Sequence, residues 1–196
     1  MESFILASAS PRRQDILNQL GLPFEVHPSN VCEDIPENTA PEDCVRILAC
    51  RKAEAGAKSF SGRWIISADT LVLHNGKLLG KPADRCEAKA MLRSLSGNKH
   101  QVLTGVCIRC NDAEFSGTAS TEVTFRDLSD EDIAAYVDRG LSDGKAGAYG
   151  IQDLGAFFVR DIHGDYNNVV GLPVSLLCDL LGRAGFPIHK LITKGE

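Results

Sequence analysis

The chain has 196 residues, of which 43% are hydrophobic and 24% are charged, and its net charge is −5 at pH 7. This composition is typical of a globular protein with one domain, or with one domain of two lobes. The negative net charge argues against a protein that binds DNA or RNA polymers, because such proteins usually present a basic surface.

The sequence also predicts a location and a redox state. No apolar stretch reaches the roughly 20 residues needed to span a bilayer, and the first residues lack the features of a secretory signal. We therefore expect a cytoplasmic protein that makes no membrane contact. Its seven cysteines, an odd number, are then expected to be reduced. Cys107 and Cys110 have a CxxC spacing, but residues three apart in a strand face opposite sides. Because no second pair completes a zinc site, we interpret both as small buried hydrophobic residues.

The first predicted elements are a strand over residues 4–7 and a helix that begins at Pro11. Ser10 is a suitable N-cap, and proline fits the first helical turn because its missing N–H costs nothing there. The residues that recur at helical spacing and predict a buried face are Ile16, Leu17 and Leu20.

Arg12 and Arg13 lie in the first turn of this helix. Free N–H groups and the macrodipole favour an anion at a helix N-terminus. Guanidinium groups add bidentate contacts that suit phosphate oxygens. The pattern is typical of a polyphosphate site; the alternative is that both arginines are surface residues of an ordinary capped helix.

The remaining elements are predicted from periodicity and turn residues. In the first half they are a strand over 23–28, a loop over 36–39, a helix over 41–58, a buried strand from Trp64 and a hairpin turn at Asn75-Gly76. In the second half they are a helix over 84–95 ended by Gly97, strands over 100–109 and 114–125, a helix over 129–137 opened by a capping box, a glycine-rich loop over 140–155, a strand over 156–162 and a helix over 173–181. Long neighbouring strands with helices between them indicate an α/β or α+β fold with a mixed sheet, whose strand order is left open.

Asp69 interrupts an apolar run over residues 64–73. A buried carboxylate must be paired, hydrogen-bonded or bound to a metal, because an isolated one is costly. The alternative is that Asp69 is a turn residue at the end of the strand.

Two lysines favour the first interpretation of Asp69. Lys52 shares a helix face with Leu48, and Lys81 follows Gly80 directly after the predicted hairpin. Hard cations such as Mg²⁺ take oxygen ligands from carboxylates and from substrate phosphates. A phosphate-and-metal site assembled from distant segments would contain Arg12, Arg13, Glu33, Asp34, Lys52, Asp69 and Lys81.

Seven segments carry a resemblance to a known family. They are LASASPRR at 6–13, ACRKA at 49–53, ADT at 68–70, GKP at 80–82, LSG at 95–97, KAGAYGIQ at 145–152 and VGLP at 170–173. In these motifs the chain resembles the Maf-type nucleoside triphosphate pyrophosphatases, in the branch that acts on dTTP and UTP. The resemblance extends over about residues 4–181.

The resemblance implies a fold and an activity. The fold is α/β, with a mixed β-sheet flanked by helices and two lobes around a cleft, similar to the inosine-triphosphate pyrophosphatases. It implies one Maf-like domain over residues 1–196 and a homodimer. The substrate would be a nucleoside triphosphate, dTTP or UTP, cleaved to the nucleoside monophosphate and pyrophosphate. The cofactor would be a divalent metal cation, Mg²⁺ or Mn²⁺, with Co²⁺ as a further candidate.

The resemblance also implies roles for individual residues. The catalytic residues would be Asp69, Glu33, Lys52 and Lys81, with Asp69 and Glu33 as metal ligands. The substrate-binding residues would be Ser8, Arg12, Arg13, Thr70 and Gln152.

Gln152 is one of three positions that mark the dTTP/UTP branch, together with Arg12 and Thr70. A sister branch that acts on methylated GTP carries Trp at the position of Arg12, Gln or His at that of Thr70, and Glu at that of Gln152. A carboxamide offers a donor and an acceptor, which suits the carbonyl and N3–H groups of thymine or uracil. Two positions depart from the family. Asp153 stands where glycine is common and either weakens triphosphate binding or turns outward, and Cys32 stands where an acidic residue is common.

Two alternative functions differ from this hypothesis. The chain could bind nucleotides without turnover as an inhibitor of cell division, or it could act on methylated GTP. Pyrophosphate release from dTTP distinguishes a pyrophosphatase from a nucleotide-binding inhibitor. The preference between dTTP and methylated GTP as substrate distinguishes the two branches.

Overall fold

The elements follow the predicted order along the chain. The computed structural model describes residues 3–187 and 189. The strands are β1 (Phe4–Leu6), β2 (Phe24–Val26), β3 (Ile65–His74), β4 (Lys77–Leu79), β5 (Lys99–Cys110), β6 (Ala113–Phe125) and β7 (Val159–His163). The helices are α1 (Pro11–Gln19), α2 (Pro41–Ser59), α3 (Arg85–Leu95), α4 (Asp130–Asp138), α5 (Tyr166–Val170) and α6 (Val174–Arg183). Two 3-10 helices, Ala146–Ala148 and Leu154–Phe158, lie in the glycine-rich segment.

The strands form a mixed sheet. Within residues 3–187 and 189, seven strands pair in the order β2-β1-β3-β5-β6-β7, with β4 added on β3. β1 is parallel to both β2 and β3, whereas β4 is antiparallel to β3 and β7 is antiparallel to β6. Parallel strands need crossover connections, and the helices α1 and α2 provide them. The prediction of an α/β fold with a mixed sheet is confirmed. None of the helices in the described part of the chain has the length and apolar character needed to cross a membrane.

Several local predictions are confirmed because short-range chemistry determines them. Asn75 and Gly76 both have positive φ, 48° and 73°, as a type I′ turn between β3 and β4 requires. Ser129 opens α4 with a complete capping box to Asp132. Gly97, with φ of 67°, follows the end of α3.

Other local details differ from the sequence expectations at particular residues. The alternative that Asp69 is a turn residue at the end of a strand is excluded, because β3 continues to His74 and pairs there with β4. Ser10 occupies the N-cap position of α1, but its side chain makes no capping hydrogen bond. β7 begins later than predicted because Leu154–Phe158 forms a 3-10 helix. The short helix α5 was not predicted, since five residues are too few to show a period.

The chain divides into two compact units. Unit 1 contains the described residues of Met1–Asp69, Thr104–Ala119 and Gly171–Glu196. Unit 2 contains Thr70–Leu103 and Ser120–Val170. The single Maf-like domain over 1–196 stays a prediction.

In unit 1, helix α2 lies very close to strand β5. Ala49 and Ala53 of α2 share a buried apolar cluster with Cys107 of β5. A Cβ atom at Gly105 would overlap the backbone carbonyl of Val45. Only glycine therefore permits this approach of the α2 backbone to β5.

In unit 2, an aromatic cluster surrounds a buried histidine. The ring of His100 makes edge contacts with Phe125 and Tyr149, and its Nε2 atom lies 2.9 Å from the Tyr149 hydroxyl. Burial, with a smaller contribution from the nearby His74, lowers the pKa of His100 from 6.5 to about 3. This histidine is therefore neutral in the folded protein at physiological pH.

The contact at Gly105 predicts the effect of adding one methyl group. Gly105→Ala should lower the free energy of unfolding by about 2–3 kcal/mol, because the Cβ would displace the α2 backbone. Urea denaturation of the purified protein measures this.

Gly182→Ala is the matched control within unit 1. A Cβ at Gly182 of α6 would meet no atom within 4 Å. This variant should gain about 0.4–1 kcal/mol, because alanine restricts the unfolded chain and favours the helix. Equal stability of the two variants would contradict the close approach of α2 to β5.

The buried His100 predicts a loss of stability in acid. Between about pH 6.5 and pH 3 the unfolded chain binds a proton at His100 that the folded chain does not, so stability falls as the pH falls through this window. The contribution is on the order of 3 kcal/mol between pH 7 and pH 4.

His100→Gln should remove this part of the pH dependence and flatten the profile of unfolding free energy against pH. His163→Gln, which replaces an exposed histidine, is the control for the loss of an imidazole. Parallel profiles for wild type and His100→Gln would exclude a buried neutral histidine.

Candidate active site

Arg13 connects three separate segments of unit 1. Its Nε atom donates to the Gly171 carbonyl at 2.8 Å, and its Nη1 atom donates to the Ser8 hydroxyl at 2.9 Å. Burial lowers the pKa of Arg13 to about 10, whereas the Asp69 carboxylate acts to raise it and Arg12 to lower it. The guanidinium group is therefore still charged at neutral pH, and it interacts electrostatically with Asp69.

The hydroxyl oxygen of Ser8 accepts two hydrogen bonds. It accepts from Arg13 and also from the Ser10 backbone N–H at 3.3 Å. A hydroxyl has two acceptor positions and one donor, so the remaining capacity of Ser8 is its O–H group. Ser8 is thus prepared to donate to an oxygen of a ligand.

Lys52 lies between two carboxylates in unit 1. Its Nζ atom is 2.5 Å from Oδ1 of Asp69 and 3.2 Å from Oε1 of Glu33. Lys52 and Asp69 are mostly buried, with side-chain exposures of 13% and 14%, whereas Glu33 is 65% exposed. A mostly buried pair with an exposed second carboxylate can receive a charged ligand from solvent.

Arg51 holds the loop that carries Glu33, a role that no sequence pattern indicates. Its Nη1 atom donates to the carbonyl of Asp34 at 2.6 Å and to the carbonyl of Cys32 at 3.2 Å. The thiol of Cys32 in turn donates to the Asp34 carboxylate at 3.1 Å. Arg51 and Lys52 are neighbours on α2 that point in different directions, and no spacing rule distinguishes an arginine that anchors a loop from a solvated one.

Unit 1 therefore contains one group of predicted site residues that contact or influence one another. Its members are Ser8, Arg12, Arg13, Glu33, Lys52 and Asp69.

Unit 2 contains the other predicted site residues. Thr70 follows Asp69 directly in β3 and is half-buried, while Lys81 and Gln152 are exposed. The Gly147 N–H donates to the Gly80 carbonyl at 3.0 Å, which joins the segment before Lys81 to the glycine-rich segment before Gln152. Within unit 2, this hydrogen bond holds the segment before Lys81 against the segment before Gln152.

Asp153 is directed into unit 2. It lies 2.8 Å from the Lys145 ammonium, and it accepts from the Tyr136 hydroxyl at 3.1 Å and from the Gly155 N–H at 3.0 Å. Burial opposes ionisation of Asp153, but these hydrogen bonds and the Lys145 charge outweigh it and lower its pKa. Asp153 therefore does not turn outward, as one of the two alternatives had it, but pairs with Lys145 and anchors its own loop.

Comparison with known proteins identifies the family. The sequence profile described as Maf-like protein matches residues 3–184. The dTTP/UTP pyrophosphatase of Symbiobacterium thermophilum is 47% identical over 188 residues, which cover 96% of this chain and 97% of that protein. The dTTP/UTP pyrophosphatase of a Geobacillus species is 46% identical over 186 residues, covering 95% and 100%.

Among solved structures, the Ham1 protein of Staphylococcus aureus aligns with a TM-score of 0.41 and 16% identity, over 63% of this chain and 72% of that one. A HAM1 protein from Coxiella burnetii aligns with a TM-score of 0.44 and 17% identity, over 64% and 73%. The sequence matches cover nearly the whole chain and nearly the whole of each curated relative, and the chain accordingly belongs to the family of Maf-like proteins.

Proposed function

We propose that the chain is a nucleoside triphosphate pyrophosphatase that hydrolyses dTTP and UTP to the nucleoside monophosphate and pyrophosphate. Relatives with 46–47% identity over almost their full length carry that name. The observation in this chain that supports the proposal best is Lys52, whose ammonium group is shared by Asp69 and Glu33. Triphosphate chemistry needs this combination of carboxylates and fixed cations.

We assign the phosphates to the cations and the hydroxyl of unit 1; the family resemblance implies the same role for Lys81 of unit 2. The O–H of Ser8 would donate to a phosphate oxygen, since both of its acceptor positions are used. Arg13 would act mainly through its charge and by orienting Ser8, because two of its N–H groups donate to protein atoms. Arg12 adds a second permanent charge beside it.

Asp69 and Glu33 would hold a divalent cation, Mg²⁺ or Mn²⁺, with Co²⁺ as a further candidate. The donor set fits such an ion, because two carboxylate oxygens converge on one cationic group and hard cations prefer oxygen ligands. When bound, the ion would polarise the phosphate and activate water for attack at the α-phosphorus. Lys52 and Lys81 would then stabilise negative charge on the departing pyrophosphate.

Gln152 and Thr70 would contribute to the choice of base, as their positions in the family motifs imply. The Gln152 side chain is exposed and can offer both a donor and an acceptor to a pyrimidine. The negative charge of its neighbour Asp153 is paired with Lys145. The family resemblance further implies a homodimer in solution.

One prediction of the proposed function concerns Asp69. Asp69→Asn keeps the size of the side chain but removes its charge, so kcat/KM for dTTP should fall by at least about 100-fold. Pyrophosphate release from dTTP and UTP with Mg²⁺ or Mn²⁺ measures this.

Glu54→Gln is the control, because it removes an exposed carboxylate from the same helix as Lys52, where it pairs with Lys58. It should turn over substrate as the wild type does. A wild-type protein that binds dTTP but releases no pyrophosphate would contradict the proposal and favour a nucleotide sensor.

The second prediction concerns Gln152. Gln152→Glu removes the donor and faces the pyrimidine carbonyls with negative charge, so kcat/KM for dTTP should fall by about 10–100-fold. The ratio of activities on dTTP and 7-methyl-GTP should shift towards 7-methyl-GTP.

Gln101→Glu makes the same change at an exposed position of β5 and should leave this ratio unchanged. If the Gln152→Glu variant keeps the wild-type ratio as well, Gln152 does not select the base.

A further inference from the structure

Unit 1 contains a second cluster of ligating atoms, formed by Cys50 of α2, Cys107 of β5 and Glu114 of β6. One side-chain ligand atom of each residue lies within 4.8 Å of the other two. Both cysteines are free thiols. None of the three residues belongs to the site proposed above. We propose that this cluster binds Zn²⁺, with the two thiolates and the Glu114 carboxylate as its ligands.

The cluster is assembled by packing between elements. Cys107 is fully buried in the apolar cluster that contains Ala49 and Ala53, and Cys50 packs against the same cluster. β5 and β6 are joined by the two-residue turn Asn111-Asp112, which brings Glu114 back beside Cys107. From the sequence, Cys107 and Cys110 are interpreted as small buried hydrophobic residues, whereas the structure brings Cys107 together with Cys50.

The chemistry of the donors selects the class of metal. Thiolates are soft ligands that favour Zn²⁺ and similar ions over Mg²⁺ or Ca²⁺. Three protein ligands of this kind are typical of a tetrahedral zinc site whose fourth ligand is water. The side chain of Glu114 is 34% exposed, so solvent and metal can reach the cluster from its side.

Arg109 supplies the surroundings that such a site needs. Its Nη1 atom donates to Oε2 of Glu114 at 2.7 Å, which orients the carboxylate and leaves Oε1 for a metal. Its Nε atom donates to the Asn111 carbonyl at 3.0 Å, which fixes the guanidinium group. Two thiolates and a carboxylate exceed the charge of Zn²⁺ by one negative charge, and Arg109 balances it. A neutral group of this kind is cheaper to bury than a charged one.

Thiols bind zinc only after they have lost their protons. Zinc binding at this cluster would therefore release protons, and the affinity for zinc should weaken as the pH falls.

The test uses metal-free purified protein titrated with Co²⁺ and then with Zn²⁺. Binding of Co²⁺ by thiolates produces a near-ultraviolet charge-transfer band. Co²⁺ bound only by carboxylates does not produce this band. We expect one such Co²⁺ per chain, displaced by one Zn²⁺. Absence of the band in the wild-type protein would overturn the proposal.

Variants show which residues hold the ion. Changes to groups that only orient a ligand cost about 10–100-fold in metal affinity, and Arg109→Met should fall in this range. Cys50→Ser and Glu114→Gln remove ligands and should cost more. Cys107→Ala also removes a ligand, but Cys107 is buried and this variant can fail to fold. Cys50 is only partly buried, so Cys50→Ser tests the same site if Cys107→Ala does not fold.

Two controls separate this cluster from other sites. Cys110→Ser changes a half-buried thiol of the same strand and should keep the band. Asp69→Asn should also keep it, because Asp69 belongs to the proposed catalytic metal site. Loss of the band in Cys110→Ser, with retention in Cys50→Ser, would overturn the assignment. Since the readout is metal binding, its failure leaves the pyrophosphatase proposal untouched, and the converse also holds.

Discussion

The close contact between α2 and β5 determines most of the chemistry in unit 1. Small residues on both sides, Gly105 on the strand and Ala49 and Ala53 on the helix, allow the helix backbone to reach the strand. The three residues between those alanines then point in three directions. Cys50 faces Cys107, Arg51 holds the loop at 32–34 and Lys52 reaches Asp69. A shift of the helix would disturb all three contacts together.

Charge balance explains how an acidic chain can still present a group of cations. The chain carries a net charge of −5, yet Arg12, Arg13 and Lys52 gather in one unit. Asp69 acts on both Arg13 and Lys52, and Glu33 shares the charge of Lys52. Arg13 and Lys52 are therefore tolerated at partial burial because the Asp69 carboxylate acts on both of them. When a triphosphate and its metal bind, the phosphate charges would take over part of the pairing with these cations, and the metal would pair with the carboxylates.

In unit 2, an ion pair and side-chain hydrogen bonds hold the glycine-rich segment in place. Asp153, Lys145 and Tyr136 form a connected set of hydrogen bonds around Gly150. A Cβ at Gly150 would lie 2.8 Å from side-chain atoms of both Asp153 and Lys145, so a larger residue there would displace this ion pair. Gln152 stands between residues that are anchored on both sides, Ile151 in the core and Asp153 on Lys145. An exposed side chain on an anchored backbone is well suited to reading a ligand.

The sequence by itself determined the features that depend on neighbours along the chain. The Asn75-Gly76 turn, the capping box at Ser129 and the helical periods arise from interactions within a few residues, and all were predicted. The family motifs identified Asp69 and Lys52 as site candidates for the same reason, since each motif is a short segment. Only the tertiary structure decided the strand order, the hydrogen bond from Arg13 to Gly171, the pairing of Asp153 with Lys145 and the meeting of Cys50 with Cys107. These contacts depend on which surfaces pack together, and residue spacing along the chain does not encode that choice.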